Sequence, residues 1–128
     1  MDIDLPDVVA EVRAQFERYE KALVSNDVPT LDELFHDDAR TIRYGVNEIL
    51  YGYGDIKSFR GARSPVALGR KLSRTVITTY GRDFATASTL YERPSAPGKL
   101  GRQMQTWVKF REGWRVVAAH VSLMDKPA

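Results

Sequence analysis

The sequence has 128 residues, the length of a single domain, and a formal net charge of +2 from 19 basic and 17 acidic residues. Hydrophobic residues make up 43% of it, enough for one core, and charged residues make up 28%, which is typical of a soluble surface. Cysteine is absent, which excludes disulfides, thiol catalysis and zinc or iron–sulfur sites held by cysteine.

The composition also bears on location and partners. No run approaches the roughly 18 apolar residues of a membrane span, and the acidic N-terminus lacks the basic and apolar regions of a secretory signal. We therefore expect a cytoplasmic protein without membrane contact. Basic residues cluster modestly at 60–74 without a nucleic-acid motif, so we expect a solvated edge or the mouth of an anion site there, and no nucleic acid. The two histidines, His36 and His120, have no metal-ligand spacing, and we expect no metal.

The first half of the chain predicts three helices. An apolar stripe at spacings of three and four indicates a long amphipathic helix that begins at Pro6. The stripe consists of Val8, Val9, Val12, Phe16, Tyr19 and Leu23. Thr30 is predicted to cap a short helix at 31–35, and Asp55 is predicted to cap a third helix at 56–61.

The rest of the chain predicts strands. Two short extended segments precede the third helix, and after a loop at 64–65 four longer strands follow, the last two joined across Glu112-Gly113 in a hairpin. The predicted strands are 39–44, 47–54, 70–80, 84–92, 102–110 and 114–124. Helices separated from an antiparallel meander indicate an α+β fold, with residues 1–128 as a single cone-shaped domain. A curved antiparallel sheet would wrap around the N-terminal helices and leave a central pocket for a small molecule.

Two residues are the first candidates for chemistry. Tyr19 lies on the apolar stripe, so it should face the interior, where its phenol supplies a proton or is simply a core aromatic with a satisfied hydroxyl. The guanidinium of Arg43 can hold a carboxylate with two parallel hydrogen bonds, although a strand arginine more often lies in solvent. Strand alternation places Arg43 with Thr41, opposite Ile42 and Tyr44, without fixing which face is internal.

Four further residues are candidates for substrate binding. His120 shares strand alternation with Trp114 and Ser122, on a face that could run from core to cavity. His120 is then either an acid–base group that titrates near neutrality or a structural histidine bonded to a backbone carbonyl. Ser122 has no third group that would make it a nucleophile. Arg63 and Gln105 are candidate contacts for a second carboxylate and a carbonyl, or else surface and edge residues.

The order of elements and the closing run GWRVVAAHVS at 113–122 resemble the nuclear-transport-factor-like superfamily of cone-shaped α+β folds. The stretches at 7–27, 31–63 and 102–122 look like its oxalurate-catabolism and dicarboxyurea-amidohydrolase branch. This resemblance implies a homodimer, with no metal or organic cofactor, that converts 1,3-dicarboxyurea to allophanate in bacterial catabolism of compounds such as cyanuric acid, alongside amidase partners. It also implies that Tyr19 and Arg43 lie at the reacting centre.

Three functions are open at this point. The first is a small amidohydrolase acting on a carboxylated urea, an anionic ureide, through Tyr19 and Arg43. The second is an isomerase or dehydratase with acid–base chemistry centred on His120. The third is a non-catalytic accessory subunit that associates with an amidase.

Overall fold

The computed structural model describes residues 1–64 and 68–128, and the predicted order of elements is confirmed within them. The elements are α1 (Pro6–Val24), α2 (Val28–Leu34), β1 (Ile42–Tyr44), β2 (Ile49–Tyr51), α3 (Tyr53–Ala62), β3 (Lys71–Tyr80), β4 (Phe84–Glu92), β5 (Lys99–Phe110) and β6 (Gly113–Asp125). Of the predicted loop at 64–65, Ser64 has no regular structure and Pro65 lies outside the described residues. Among the helices described, none combines the length and apolar character needed to cross a bilayer.

The helix starts differ from the predicted caps at two places. Asp27, not Thr30, caps α2, and its carboxylate accepts a hydrogen bond from the Thr30 backbone nitrogen at 3.3 Å. Gly52, not Asp55, is the N-cap of α3, and Asp55 instead lies in the first turn. Gly52 has a φ of 89°, a conformation that glycine adopts without strain, which lets the chain turn sharply from β2 into the helix.

The six strands form one sheet in the order β2-β1-β6-β5-β4-β3. The neighbours among β3 to β6 are antiparallel, as predicted, and so are β1 and β2. The antiparallel sheet that was predicted contains one parallel pairing, that of β1 with β6. The segment before β1 already pairs with β6, since Phe35 forms a parallel bridge with Val116.

A bulge in β6 changes which side chains face the helices. Trp107 of β5 pairs with Val116 while Thr106 pairs with Ala118, so Val117 is an extra residue on β6. Such an insertion shifts the alternation by one position and bends the strand. Beyond the bulge, Ala119 is buried on the inner face.

The predicted shared face of 114–122 is therefore wrong. Trp114 lies on the inner face, but His120 and Ser122 follow the bulge and lie on the outer face. Alternation along a strand predicts which face of the sheet a side chain occupies only where each residue pairs with one residue of the neighbouring strand.

The core lies between the inner face of the sheet and α1. Val8 and Val12 of α1 and Trp107 and Val116 of the sheet are all at most 1% exposed, which makes this end of the fold a solid apolar core. The end of the β5–β6 hairpin is tied to α1, because the Trp114 indole donates a hydrogen bond to Glu11 at 2.9 Å. Further along the same face the buried side chains become polar and charged.

Candidate functional site

Tyr19 lies among arginine side chains at the polar end of the interior. Tyr19 of α1 is 3% exposed, Arg60 of α3 is 2% exposed and Arg43 of β1 is 7% exposed. The side chain of Arg70, just before β3, is also buried. Arginine is almost never buried without a specific partner, so this concentration of cations needs an explanation in terms of what they hold.

The charges of these arginines converge on the phenol of Tyr19. Burial by itself raises the pKa of Tyr19, but Arg60, Arg43, Arg70 and Arg63 outweigh that effect and lower the pKa below its ordinary value near 10. Tyr19 and Arg43 therefore share one electrostatic environment inside the fold. Their catalytic roles remain predictions.

Two of the arginines have close acidic partners. Arg70 donates to both carboxylate oxygens of Glu20, with its Nε at 2.9 Å from one and its Nη2 at 2.5 Å from the other. Burial lowers the pKa of Arg70, but the bonds to Glu20 more than offset this and raise it. Arg43 donates to Glu48 at 3.1 Å, an ion pair that holds the strand β1 side chain over the inner face.

The other two arginines are poorly neutralised. Arg60 donates to the backbone oxygen of Leu31 at 3.2 Å, while its distance to the nearest Asp32 oxygen is 3.9 Å, too long for a hydrogen bond. Arg63 has no acidic group within 4.0 Å in residues 1–64 and 68–128. Burial lowers the pKa of both Arg60 and Arg63. The positive charge of this interior exceeds its negative charge.

Aromatic rings support the guanidinium groups without neutralising them. Arg60 lies over the ring of Phe35 at 4.1 Å, and Arg70 over the ring of Tyr91 at 4.6 Å. The ring of Phe59 is approached by Arg43 at 5.3 Å and by Arg63 at 5.9 Å. Cation–π contacts favour the buried cations, yet their full charge stays available to an anion.

Several buried nitrogens near these arginines have no hydrogen-bond partner. Buried polar atoms are normally paired, so these unpaired donors can accept a hydrogen-bond partner from a ligand or water. The unpaired donors are Nη2 of Arg60, Nε and Nη2 of Arg63, and Nε2 of Gln103 and Gln105. These five donors suit the acceptor oxygens of a ligand, and the unpaired Asp32 oxygen, 3.9 Å from Arg60, is an acceptor in the same region. Other unpaired buried atoms in the described part are oxygens of Asn26, Asp32 and Thr79.

The two glutamines are oriented by their neighbours. Gln103 accepts a hydrogen bond from Arg70 at 3.0 Å, and Gln105 accepts one from the Trp107 indole at 3.1 Å. Because both amide oxygens are used, both NH₂ groups must be the unpaired ends. The sequence named Gln105 as a candidate but missed Gln103, although strand alternation places the two on one face.

The predicted site residues fall into two groups. Tyr19, Arg43, Arg63 and Gln105 belong to the interior described above, whereas His120 and Ser122 do not. His120 is exposed on the outer face, with its ring edge-on to Tyr44 at 5.8 Å, and Ser122 accepts a bond from the exposed Arg102 at 3.2 Å. The prediction that these two residues line an interior pocket is wrong, because the bulge in β6 puts them on the outer face.

The burial of two arginines in the basic cluster at 60–74 was not predicted from the sequence. Arg60 and Arg70 were expected at a solvated edge or a ligand mouth, and the structure buries both beside Tyr19. The remaining polar groups give no support for a metal centre, since no group of three or more His, Asp or Glu side chains with suitable geometry occurs within the described residues. The interior thus combines positive charge with unpaired N–H donors, an arrangement that suits an anion.

Comparison with known proteins identifies the family. The family model for AtzH-like proteins matches residues 1–127. The chain belongs to the AtzH-like family. No match to the sequence is found among proteins of curated function.

Solved structures place this AtzH-like chain in a broader fold. It is 59% identical to a protein of unknown function from Pectobacterium atrosepticum, with a TM-score of 0.94 and coverage of 97% of this chain and 96% of the other. It is 47% identical to a cystatin-like fold protein from Burkholderia xenovorans, with a TM-score of 0.95 and 99% of both chains covered. An NTF2-like protein with a cystatin-like fold from Novosphingobium aromaticivorans is 21% identical, with a TM-score of 0.72 over 97% and 86% of the chains.

These likenesses confirm two predictions. The chain has a cystatin-like, NTF2-like fold, and its α+β architecture is the cone-shaped one that the sequence predicted. At the lower identities the likeness concerns the fold alone, because one fold supports many different sites.

Proposed function

We propose that this AtzH-like chain is a small, cofactor-free amidohydrolase that removes one carboxyl group from 1,3-dicarboxyurea, or from a related carboxylated ureide, to give allophanate in bacterial nitrogen catabolism. One observation carries the proposal: the phenol of Tyr19 is buried beside Arg43, Arg60, Arg63 and Arg70, whose charges lower its pKa. That arrangement combines a proton donor with a cationic binding site in one enclosed place.

The charge of the interior supports a substrate with two carboxylates. An uncompensated cation in a protein interior is costly, and an anion that pairs with it offsets the cost. Arg63 lacks an acidic partner in the described residues, and Arg60 has only Asp32 at 3.9 Å. A dianion would therefore be held by charge that the folded chain has already placed there.

The proposed step needs no covalent nucleophile. The bond between a urea nitrogen and its carboxyl carbon breaks, the electron pair stays on nitrogen, and the carbon leaves as carbon dioxide. Tyr19 gives its proton to that nitrogen, and water returns a proton to Tyr19 afterwards. The dicarboxyurea dianion and one proton thus become the allophanate monoanion and carbon dioxide.

The environment of Tyr19 suits this proton transfer. A lowered pKa makes the phenol a better proton donor near neutral pH. The tyrosinate that forms is stabilised by the same arginines, and Arg43 orients a substrate carboxylate through two parallel hydrogen bonds. The protein contributes position and charge, which is what the breakdown of a carbamate-type acid requires.

Turnover of freshly generated dicarboxyurea tests the proposal. We expect the purified protein to release allophanate and carbon dioxide, and Tyr19→Phe and Arg43→Lys each to lower kcat at least about 100-fold with the far-UV circular dichroism unchanged. Tyr80→Phe and Arg13→Lys are matched controls outside the site and should retain the wild-type rate. Full turnover in the Tyr19 variant would reject the role of the phenol.

The other functions receive less support. His120 lies exposed on the outer face, so acid–base chemistry centred on it would not use the cationic interior. An accessory role is favoured only by the outer face, where Val76, Phe84 and Met104 are all more than 40% exposed. We propose that this face forms a homodimer and that the enzyme works in association with an amidase, which co-purification would test.

A further inference from the structure

A single row of paired residues crosses the inner face of the sheet. Arg43 of β1 pairs with Ala119 of β6, and Ala119 pairs with Gln105 of β5, which in turn pairs with Ala87 of β4. Neighbouring strands lie about 4.8 Å apart, so the backbones of Arg43 and Gln105 are about 10 Å apart. On the sheet itself, the residue between the two long side chains is Ala119, which has only a methyl group.

The two ends of this row present donors of different kinds. Arg43 offers a charged guanidinium at one end. Gln105 offers an amide NH₂ at the other end, and Gln103, two residues away on the same face of β5, adds a second one. Both NH₂ groups are buried and unpaired because Trp107 and Arg70 already use the amide oxygens.

The residues that pair with Gln105 on the two neighbouring strands have small side chains. Ala87 and Ala119 flank Gln105 on both neighbouring strands, and both are buried. Each of these alanines places only a methyl group beside the Gln105 side chain, where a larger core side chain would crowd it. Nearer the hairpin, the inner-face positions of β5 and β6 are occupied by Trp107 and Val116, which belong to the apolar core.

We propose that Gln103 and Gln105 form a second subsite, which binds the acceptor group at the end of the ligand opposite to Arg43 and thereby selects two-ended anions of one length. The subsite rests on the proposed function for its substrate, a carboxylated urea, but its binding chemistry is independent of turnover. Dicarboxyurea has five chain atoms, counted from one carboxyl carbon to the other. Glutarate has the same number of chain atoms, but its carboxyl groups are bonded to carbon and do not leave as carbon dioxide.

Calorimetric titration with three inert acids tests the length selection. Glutarate has two carboxylates at the required spacing, malonate is shorter, and pentanoate has a methyl group in place of the second carboxylate. We expect the wild-type protein to bind glutarate at least about tenfold more tightly than either of the others, since neither of them can place a second carboxylate at the glutamines. Equal affinities, or no binding of glutarate, would overturn the subsite.

Substitution of the glutamines tests their part in it. Gln105→Glu and Gln103→Glu keep the acceptor oxygen for Trp107 and Arg70 but remove the N–H donors. We expect each to reduce the preference for glutarate over pentanoate to less than about threefold. Gln15→Glu on α1 is the matched control and should leave the preference intact. An unchanged preference in Gln105→Glu would overturn the assignment.

A measurement on the unaltered protein covers the case in which these variants do not fold. Side-chain amide NMR resonances of Gln103 and Gln105 should shift on saturation with glutarate and stay in place with pentanoate. Unshifted resonances at saturating glutarate would reject the subsite. Glutarate-dependent shifts without any turnover of dicarboxyurea would retain the subsite and reject the proposed reaction instead.

Discussion

The phenol of Tyr19 should ionise at a lower pH than an ordinary tyrosine, because its pKa is lowered. The chain has six tyrosines, and burial raises the pKa of Tyr53, whereas the arginines lower that of Tyr19. In a spectrophotometric titration near 295 nm, one tyrosine should ionise below pH 10, and that step should be missing in Tyr19→Phe. Identical titration curves for the two proteins would contradict the electrostatic account.

The same shift has a consequence for stability with a defined sign. A group whose pKa is lower in the folded than in the unfolded protein favours folding once the pH exceeds its folded pKa. The free energy of unfolding of the wild type, relative to Tyr19→Phe, should therefore grow as the pH rises towards 10, and this advantage should disappear at lower pH.

Sequence reasoning succeeded at residues whose environment is set locally. The stripe of α1 was enough to place Tyr19 inside, because helical spacing fixes which side chains share a face. The burial of Arg60 and Arg70 was not predictable in this way. It depends on Phe35, Glu20 and Tyr91, which come from other elements and meet these arginines only in the folded chain.

At the scale of elements, the contact of β4 with β5 positions one of the arginines. Gly101 of β5 lies opposite Tyr91 of β4, and a side chain at Gly101 would overlap the Tyr91 ring that supports Arg70. We expect Gly101→Ala to lower the free energy of unfolding by about 1–3 kcal/mol and also to reduce turnover. Urea denaturation monitored by tryptophan fluorescence measures the first effect.

Another glycine provides the control for this substitution. Gly61 lies in α3 with open space around the position of a Cβ atom, so Gly61→Ala should be neutral or stabilise the protein by about 0.5–1 kcal/mol. If Gly101→Ala were as stable as Gly61→Ala, the close packing of Tyr91 over Gly101 would not hold Arg70 in place.

The elements themselves were predicted well from periodicity, turn residues and β-branched content, since each of these signals is local. The strand β4 has the predicted bounds, Phe84–Glu92. The extra residue Val117 was not predicted, because a bulge is defined by the pairing of two strands and no residue type in GWRVVAAHVS requires it. That one residue moved His120 and Ser122 to the other face.

At the scale of the whole molecule, the outer face of the sheet should join two copies of the chain. Val76 is 55% exposed there, and Val76→Lys would place a charge in the proposed interface. We expect light scattering to give twice the chain mass of 14.5 kDa for the wild type and the mass of one chain for the variant.

Val24→Lys, at the end of α1, is the control for this change, since Val24 is also an exposed valine at 39%. The control should remain a dimer. A monomeric wild type, or a dimer that survives Val76→Lys unchanged, would remove the outer face as the interface.

The most direct test of the central claim is a crystal structure of the protein with glutarate bound. The account predicts electron density for the acid inside the cone, with one carboxylate within hydrogen-bond distance of Arg43 and of the Tyr19 hydroxyl. Density only at the outer surface, with the interior around Tyr19 closed by side chains, would contradict it.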